Sequence, residues 1–286
     1  MDIKTLSSFS HVLHTKAGRP FLIDGLWKED GKKKPILIFV HGFKGFKDWG
    51  PFPLLSAYFA ASGVLCIKVN LSHNGTTPET PYDFSDLEAF GRNTFSQQLE
   101  DLTTVIDFVV QAQQPFPAEE ADRSRITLLG HSRGGSLVLL QAAEDARVRK
   151  VITWAAVADL TAGYSDEQLA DWKAHGVLYS FNGRTQQQMP QYYDYYVDLM
   201  DNPKRLNVGH AAEQLLQPLL LLHGDADETV PVSDADTLHS KAVHSELYIL
   251  KGAGHTFGAK HPMTDINFPP AFLEALTETL RFIKNV

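Results

Sequence analysis

Gly130-His131-Ser132-Arg133-Gly134 decides how this chain is read. The run Arg125 to Leu129 (RITLL) before it is short and apolar and predicts a buried strand. The run Ser136 to Glu144 (SLVLLQAAE) after it is a good helix former. The G-x-S-x-G pattern therefore falls on a strand-to-helix turn, where the flanking glycines let the backbone turn sharply without Cβ clashes. Ser132 is expected to project from the corner at a helix N-terminus. A bare G-x-S-x-G occurs in many chains; the strand before and the helix after make it informative.

Three further pieces support that turn, two downstream of it and one upstream. Pro218 to Gly224 (PLLLLHG) is an apolar run ending in His-Gly, and Asp225-Ala226-Asp227 comes directly after it. Leu247 to Leu250 reads as another strand, followed by Gly252-Ala253-Gly254-His255. An acid after one strand and a histidine after the next both fall at strand C-terminal ends, where open α/β sheets carry their sites. Upstream, Pro35 to Val40 (PILIFV) runs into His41-Gly42-Phe43.

With His41-Gly42-Phe43, Gly130 to Gly134, Asp227-x-x-Val230-Pro231 and Gly254-His255 in hand, the chain resembles the α/β-hydrolase superfamily over nearly its whole length. Within it, the chain is similar to bacterial cinnamoyl or feruloyl esterases and to their lipase and serine-aminopeptidase relatives. The resemblance implies a mostly parallel central sheet with helices on both faces and a small cap insertion. It implies Ser132 as nucleophile, His255 as the base that takes its proton, and a carboxylate that orients the imidazole. Asp227 and Asp225 compete for the third role. The family pattern places the acid three residues before Val-Pro, which matches Asp227, and Asp225 reads as a turn residue capping local N–H groups. Asp234 and Asp236 read as the start of the next helix. The oxyanion hole is expected from the backbone N–H groups of Phe43 and Arg133, each contributing roughly 3 kcal/mol to the transition state. Phe43 and Phe46 read either as loop packing or as acyl contacts. The Arg133 side chain reads either as a partner of a rim acid or as solvated.

Composition agrees with one large domain spanning 1–286. The chain has 286 residues, 43% hydrophobic and 21% charged, as in an ordinary globular protein. A net charge of −8 speaks against a nucleic-acid or anionic-membrane partner. The lone Cys66 cannot form an internal disulfide and reads as buried in a strand. No leader-like apolar region opens the chain, and no run approaches about 18 apolar residues, so a cytoplasmic location is expected. No H-E-x-x-H or Cys/His cluster is present and no G-K-[S/T] follows the glycines, so neither metal nor cofactor is expected.

A coarse pass predicts strands at 20–28, 35–40, 64–70, 150–154 and the site strands above. It predicts helices at 53–62, 95–111 and 270–283, with residues 31–34 (GKKK) as an exposed hairpin turn. Strands alternating with helices predict the covered parallel sheet. Residues 158–212 break the rhythm and are expected to form a helical or hairpin lid over Ser132. Gln186 to Val197 holds four of the nine tyrosines within five residues, which either bind substrate or pack the lid down. Trp172, Met189 and Tyr193 are candidate pocket walls. His41 and His223 read as buried hydrogen-bonding histidines, and His73 to Gly75 as a turn beside the pocket.

The expectation is thus a serine hydrolase of carboxylic esters with small or medium acyl groups, whose partner is a small-molecule ester, with a homodimer left open. Aspartate or cysteine in place of Ser132 would have indicated the dehalogenase or dienelactone-hydrolase chemistry of the same superfamily. A peptidase, aminopeptidase or thioesterase remains the alternative; Asp194 and Asp198 are candidates to hold a substrate ammonium. A ligand-binding protein on the same fold is the remoter one.

Overall fold

The computed structural model describes residues 6–111 and 114–285. Its central sheet has eight strands: β1 (Leu6–His14), β2 (Pro20–Lys28), β3 (Lys34–Val40), β4 (Leu65–Val69), β5 (Ala121–His131), β6 (Val148–Trp154), β9 (Leu219–Gly224) and β10 (Ser245–Leu250), in the order β1-β2-β4-β3-β5-β6-β9-β10. β1, β2 and β4 pair antiparallel, and all pairings from β4 onward to β10 are parallel. The α/β-hydrolase fold expected from the sequence is the fold observed.

Successive residues of the central strands face opposite sides, and both sides are dry. Ile36, Ile38 and Val40 of β3 join Ile126 and Leu128 of β5 in one apolar cluster, under α3 (Phe95–Val110), α4 (Arg133–Glu144), α7 (Val208–Gln214) and α8 (Val232–Lys241). Leu37 and Phe39 join Leu129, Ile152 and Trp154 in the other, under α1 (Phe52–Ala61) and α9 (Pro270–Lys284). Each such buried side chain stabilises the sheet by about 1.5–3 kcal/mol, which explains the near-continuous apolar runs of the central strands. Thr94 and Gln97 form a reciprocal cap that starts α3.

Two details differ from the expectation. Residues 31–34 do not close a hairpin, because β4 lies between β2 and β3. Lys34 is buried rather than exposed, its ammonium paired with Glu120 and Asp30. The strand β1 was not anticipated; at the sheet edge it pairs only with β2, and most of its side chains stay in contact with water.

The segment between β6 and β9 contains α5 (Asp166–His175), the two-stranded β7 (Val177–Asn182) and β8 (Gln187–Tyr192), α6 (Asp194–Asp201) and α7. α7 packs on α4 and α8 of the main layer. The tyrosines mostly pack this segment together: Trp172, fully buried, has the rings of Tyr164, Tyr193, Tyr195 and Tyr196 around it, and its indole N–H donates to the Gln191 carbonyl at 2.8 Å. Met189 is equally buried, in a cluster with Phe46, Phe84 and Phe90. The Asp198 carboxylate, too, is engaged within the protein. Its carboxylate accepts from the Ser96 N–H at 3.0 Å and the Ser96 hydroxyl at 2.5 Å, tying α6 to the first turn of α3.

Two predictions follow from these contacts. Removing the Asp198 carboxylate leaves N-terminal donors of α3 without it, so Asp198→Ala should lower stability by about 1–2 kcal/mol in urea unfolding; an unchanged midpoint would show that the tie carries no stability. Asp101 on α3 accepts the Ser72 N–H at 2.7 Å, and burial nevertheless pushes its carboxyl up to about 7. Since that lies above the unfolded value of 3.8, the folded chain holds the proton more tightly. The stability so contributed is present below the unfolded value and is lost as pH rises through about 7. Asp101→Asn should therefore gain on the wild type between acidic and mildly alkaline pH, and parallel pH–stability curves would contradict this.

Candidate active site

Only Ser132 separates β5 from α4, and its backbone takes the strain of the corner, with φ 57° and ψ −125°. Such a conformation in a residue with a Cβ costs on the order of 1–3 kcal/mol and persists only where its surroundings enforce it. The enforcement is close backbone crossing. A Cβ on Gly130 would lie 2.0 Å from the Gly134 carbonyl oxygen, so the flanking glycines are needed for approach rather than for left-handed φ. The Ser132 N–H donates to the Trp154 carbonyl at 2.8 Å, pinning the corner to the end of β6.

Asp227 lies just past β9 and His255 just past β10, and parallel pairing of these strands delivers both loops to the end of the sheet that carries Ser132. His255 Nε2 is 3.0 Å from Ser132 Oγ, and His255 Nδ1 is 2.8 Å from Asp227 Oδ2. The other carboxylate oxygen accepts the N–H groups of Thr229 at 2.8 Å and Val230 at 2.9 Å. Burial pushes the Asp227 carboxyl up, but hydrogen bonds from His223, His255 and the Val230 N–H outweigh it and hold the group far below the ordinary carboxylate range. It is therefore ionised at neutral pH, as a group that orients and stabilises an imidazolium must be. Asp225 lies apart, accepting from Gly252 N–H and Lys251.

Two more histidines support these groups. His131 Nε2 lies 2.9 Å from the His255 carbonyl, a bond that needs an N–H there, and burial together with the neighbouring His255 pushes His131 down to about 3. His223, fully buried, sets Nε2 2.9 Å from the Val230 carbonyl and 3.4 Å from Asp227. On the other side, His41 Nδ1 meets the Gly42 carbonyl at 2.9 Å while Nε2 accepts from Asn74 at 3.2 Å and, more weakly, from Leu71 N–H at 3.4 Å. Burial pushes His41 down to about 4, so it is neutral and braces the loop after β3. Gly42 in that loop passes so close that a Cβ there would lie 2.8 Å from the Ser132 Cβ. Among the described residues, neither the Phe43 nor the Arg133 N–H has a hydrogen-bond acceptor.

A cavity of about 310 Å³ opens above this chain of groups, lined by Phe43, Lys44, Trp49, Phe52, His131, Ser132, Asn182, Arg184, His255, Thr256 and His261 among others. A larger groove of about 980 Å³ at the opposite end of the strands holds no comparable serine–histidine pair; there Arg147 is engaged by Asp107 and Asp145, and Lys150 by carbonyls of the α9 end. Among the described residues, no group of three or more His, Cys, Asp or Glu side chains could hold a metal ion. No helix of the described residues is long and apolar enough to cross a membrane.

The structure thus brings Ser132, His255 and Asp227 together, with Phe43 and Arg133 beside them. It does not bring Trp172, Met189 or Tyr193 to the cavity. The Arg133 side chain neither pairs with an acid nor is merely solvated: its guanidinium lies over the Phe43 ring, 4.1 Å from the centroid, and near Tyr195. Asn182 and Arg184 lie far from the motifs, Trp49 and His261 lie a few residues beyond Phe43 and His255, and none carries a local pattern, so sequence reading missed them as wall residues.

A family model described as the prolyl oligopeptidase family matches residues 57–277. The chain is 26% identical over 241 residues to an isoprenylcysteine alpha-carbonyl methylesterase of Arabidopsis thaliana, an alignment covering 78% of this chain and 50% of that protein. The chain spans about half the length of the first curated relatives it matches. Among solved structures it resembles Est1E from Butyrivibrio proteoclasticus, with a TM-score of 0.67 at 17% identity over 96% of this chain and 98% of that one. It also resembles the alpha/beta hydrolase GrgF from Penicillium sp. sh18, with a TM-score of 0.72 at 19% identity over 97% and 98%. Those two likenesses speak to the fold; the family match, which spans well over half of the sequence, shows that the chain belongs to the prolyl oligopeptidase family, hydrolases built on the α/β-hydrolase fold.

Proposed function

We propose that the protein hydrolyses carboxylic esters with small or medium acyl groups. The observation that carries this reading is the unbroken hydrogen-bonded chain Ser132–His255–Asp227 at the floor of a 310 Å³ cavity. Cavities of that size lie at the small end of ligand sites. Ser132 Oγ attacks the ester carbonyl as His255 Nε2 takes its proton, with Asp227 holding Nδ1–H and stabilising the imidazolium. The N–H groups of Phe43 and Arg133 receive the developing oxyanion. His255 then protonates the departing alcohol, and water cleaves the acyl-enzyme by the same route. The residues 158–212 act as the cap over this floor, through β7, β8 and the turn between them.

Labelling by a fluorophosphonate, paired with hydrolysis of p-nitrophenyl esters from acetate to longer acyl chains, tests the reading. The wild type should be labelled and favour the shorter esters. Ser132→Ala should be unlabelled, and Asp227→Asn should lower kcat about 10³–10⁴-fold. Faster turnover of matched amide or thioester substrates would move the assignment to a peptidase or thioesterase. An unlabelled, inert wild type would overturn it in favour of a binding protein.

A further inference from the structure

Around Ser132 the cavity carries cations and no carboxylate. Its lining includes Lys44 and Arg184 but no aspartate or glutamate, in a chain whose net charge is −8. Asp227, the nearest acid of the site, is fully covered beneath His255 and committed to it. Arg133 lies just behind the wall, its guanidinium on the Phe43 ring, and the Lys44 ammonium approaches the same ring at 5.5 Å from the centroid. Among the described residues, none of Lys44, Arg133 and Arg184 has a carboxylate within ion-pair distance, whereas the buried lysines Lys34, Lys47 and Lys68 all do. Their partners are neutral. Lys44 donates to the Phe181 carbonyl at 3.1 Å, Arg133 meets the Tyr164 hydroxyl at 3.4 Å, and Arg184 lies over the rings of Phe46 and Phe84.

Like charges gathered without a counter-charge oppose one another. Burial and the neighbouring Arg133 both push the Lys44 ammonium below its ordinary value, and burial and Arg184 do the same to His261. The backbone adds an independent sign. Lys44 has φ 56°, a left-handed conformation in which glycine would be unstrained. The turn after Phe43 thus keeps a long cationic side chain at a position whose geometry favours none. Backbone strain of this kind concentrates where a side chain is needed for function.

We infer that the substrate is an ester bearing a carboxylate, held between the Lys44 ammonium and the Arg184 guanidinium while its ester carbonyl sits at Ser132. The inference rests on the ester-hydrolase reading above. A guanidinium lying near aromatic rings keeps N–H groups available for two parallel bonds to a carboxylate, and the ammonium supplies a point charge beside it. The same charges disfavour a substrate ammonium, so a free amino terminus next to the scissile bond is the wrong partner for this cavity.

Two matched pairs of esters test it, one for each side of the scissile bond. The first pair is p-nitrophenyl hemiglutarate against p-nitrophenyl hexanoate, and the second is 4-carboxyphenyl hexanoate against phenyl hexanoate. Rates are corrected for uncatalysed hydrolysis. In one pair the anionic ester should have about tenfold the kcat/KM of its neutral partner at low salt, the equivalent of about 1.4 kcal/mol. That ratio should fall toward unity in about 0.5 M salt, where the Debye length is only a few ångströms. Arg184→Gln and Lys44→Asn should each lower the ratio; asparagine tolerates the left-handed backbone, and Arg184 is exposed, so both variants should fold. A ratio at or below one in both pairs, with neutral esters still hydrolysed, overturns this inference and leaves the esterase reading standing. A ratio insensitive to both substitutions overturns it as well. If the wild type turns over no ester at all, the esterase reading fails and this inference with it.

Discussion

The crossing of the chain at Gly130 and Gly134 governs the rest of the molecule's chemistry. Because β5 must turn into α4 within one residue, the strain falls on Ser132 itself, and the two glycines permit the backbone contact that holds it there. Everything else at the site is arranged against that fixed point. Gly42 approaches from the end of β3, the Trp154 carbonyl anchors from β6, and His255 arrives from beyond β10. A parallel sheet makes this convergence possible, since its strands all end on the same side.

The site's electrostatics are ordered by distance from the core. Deepest lies Asp227, whose charge is kept by hydrogen bonds despite complete burial of its side chain. Around it, His41 and His131 are kept neutral by burial, so each can brace a loop through fixed donor and acceptor roles without adding charge. Farther out, the Lys44, Arg133 and Arg184 side chains rest near aromatic rings. Aromatic faces satisfy a cation partly while leaving its N–H groups free, which a carboxylate partner would not do.

The motifs that could be read from the sequence were those in which local geometry dictates residue type. Gly130-x-Ser132-x-Gly134 was legible because a one-residue corner admits few alternatives, and the runs at 35–40, 125–129 and 218–222 because strands covered on both faces are filled mostly by apolar side chains. The choice of Asp227 over Asp225 came from the resemblance, whose pattern sets the acid three residues before Val-Pro, and the observed hydrogen bonds to Thr229 and Val230 show why that spacing matters: the carboxylate closes its own turn as it reaches His255. The tyrosine cluster was legible as a cluster but not in its role, because packing around Trp172 and lining a cavity call for the same residue type. Lys34 misled for a related reason. Three lysines in a row look solvated, and only the return of Glu120 from another part of the chain makes a buried ammonium tolerable.

By itself the sequence determined the strand–helix alternation, the covered sheet and the corner at Ser132, since each depends on short-range periodicity or on spacing within a single turn, and the resemblance its motifs carry pointed to Asp227 and His255. Only the tertiary structure decided what surrounds them. Arg184 comes from the turn between β7 and β8, His261 from the loop before α9, and Trp49 from the loop before α1, and they meet at one cavity because the sheet order brings those segments together. Long-range proximity of that kind leaves no periodic trace in the chain. The local cost of an unpaired cation or a left-handed lysine likewise becomes visible only once its neighbours are in place.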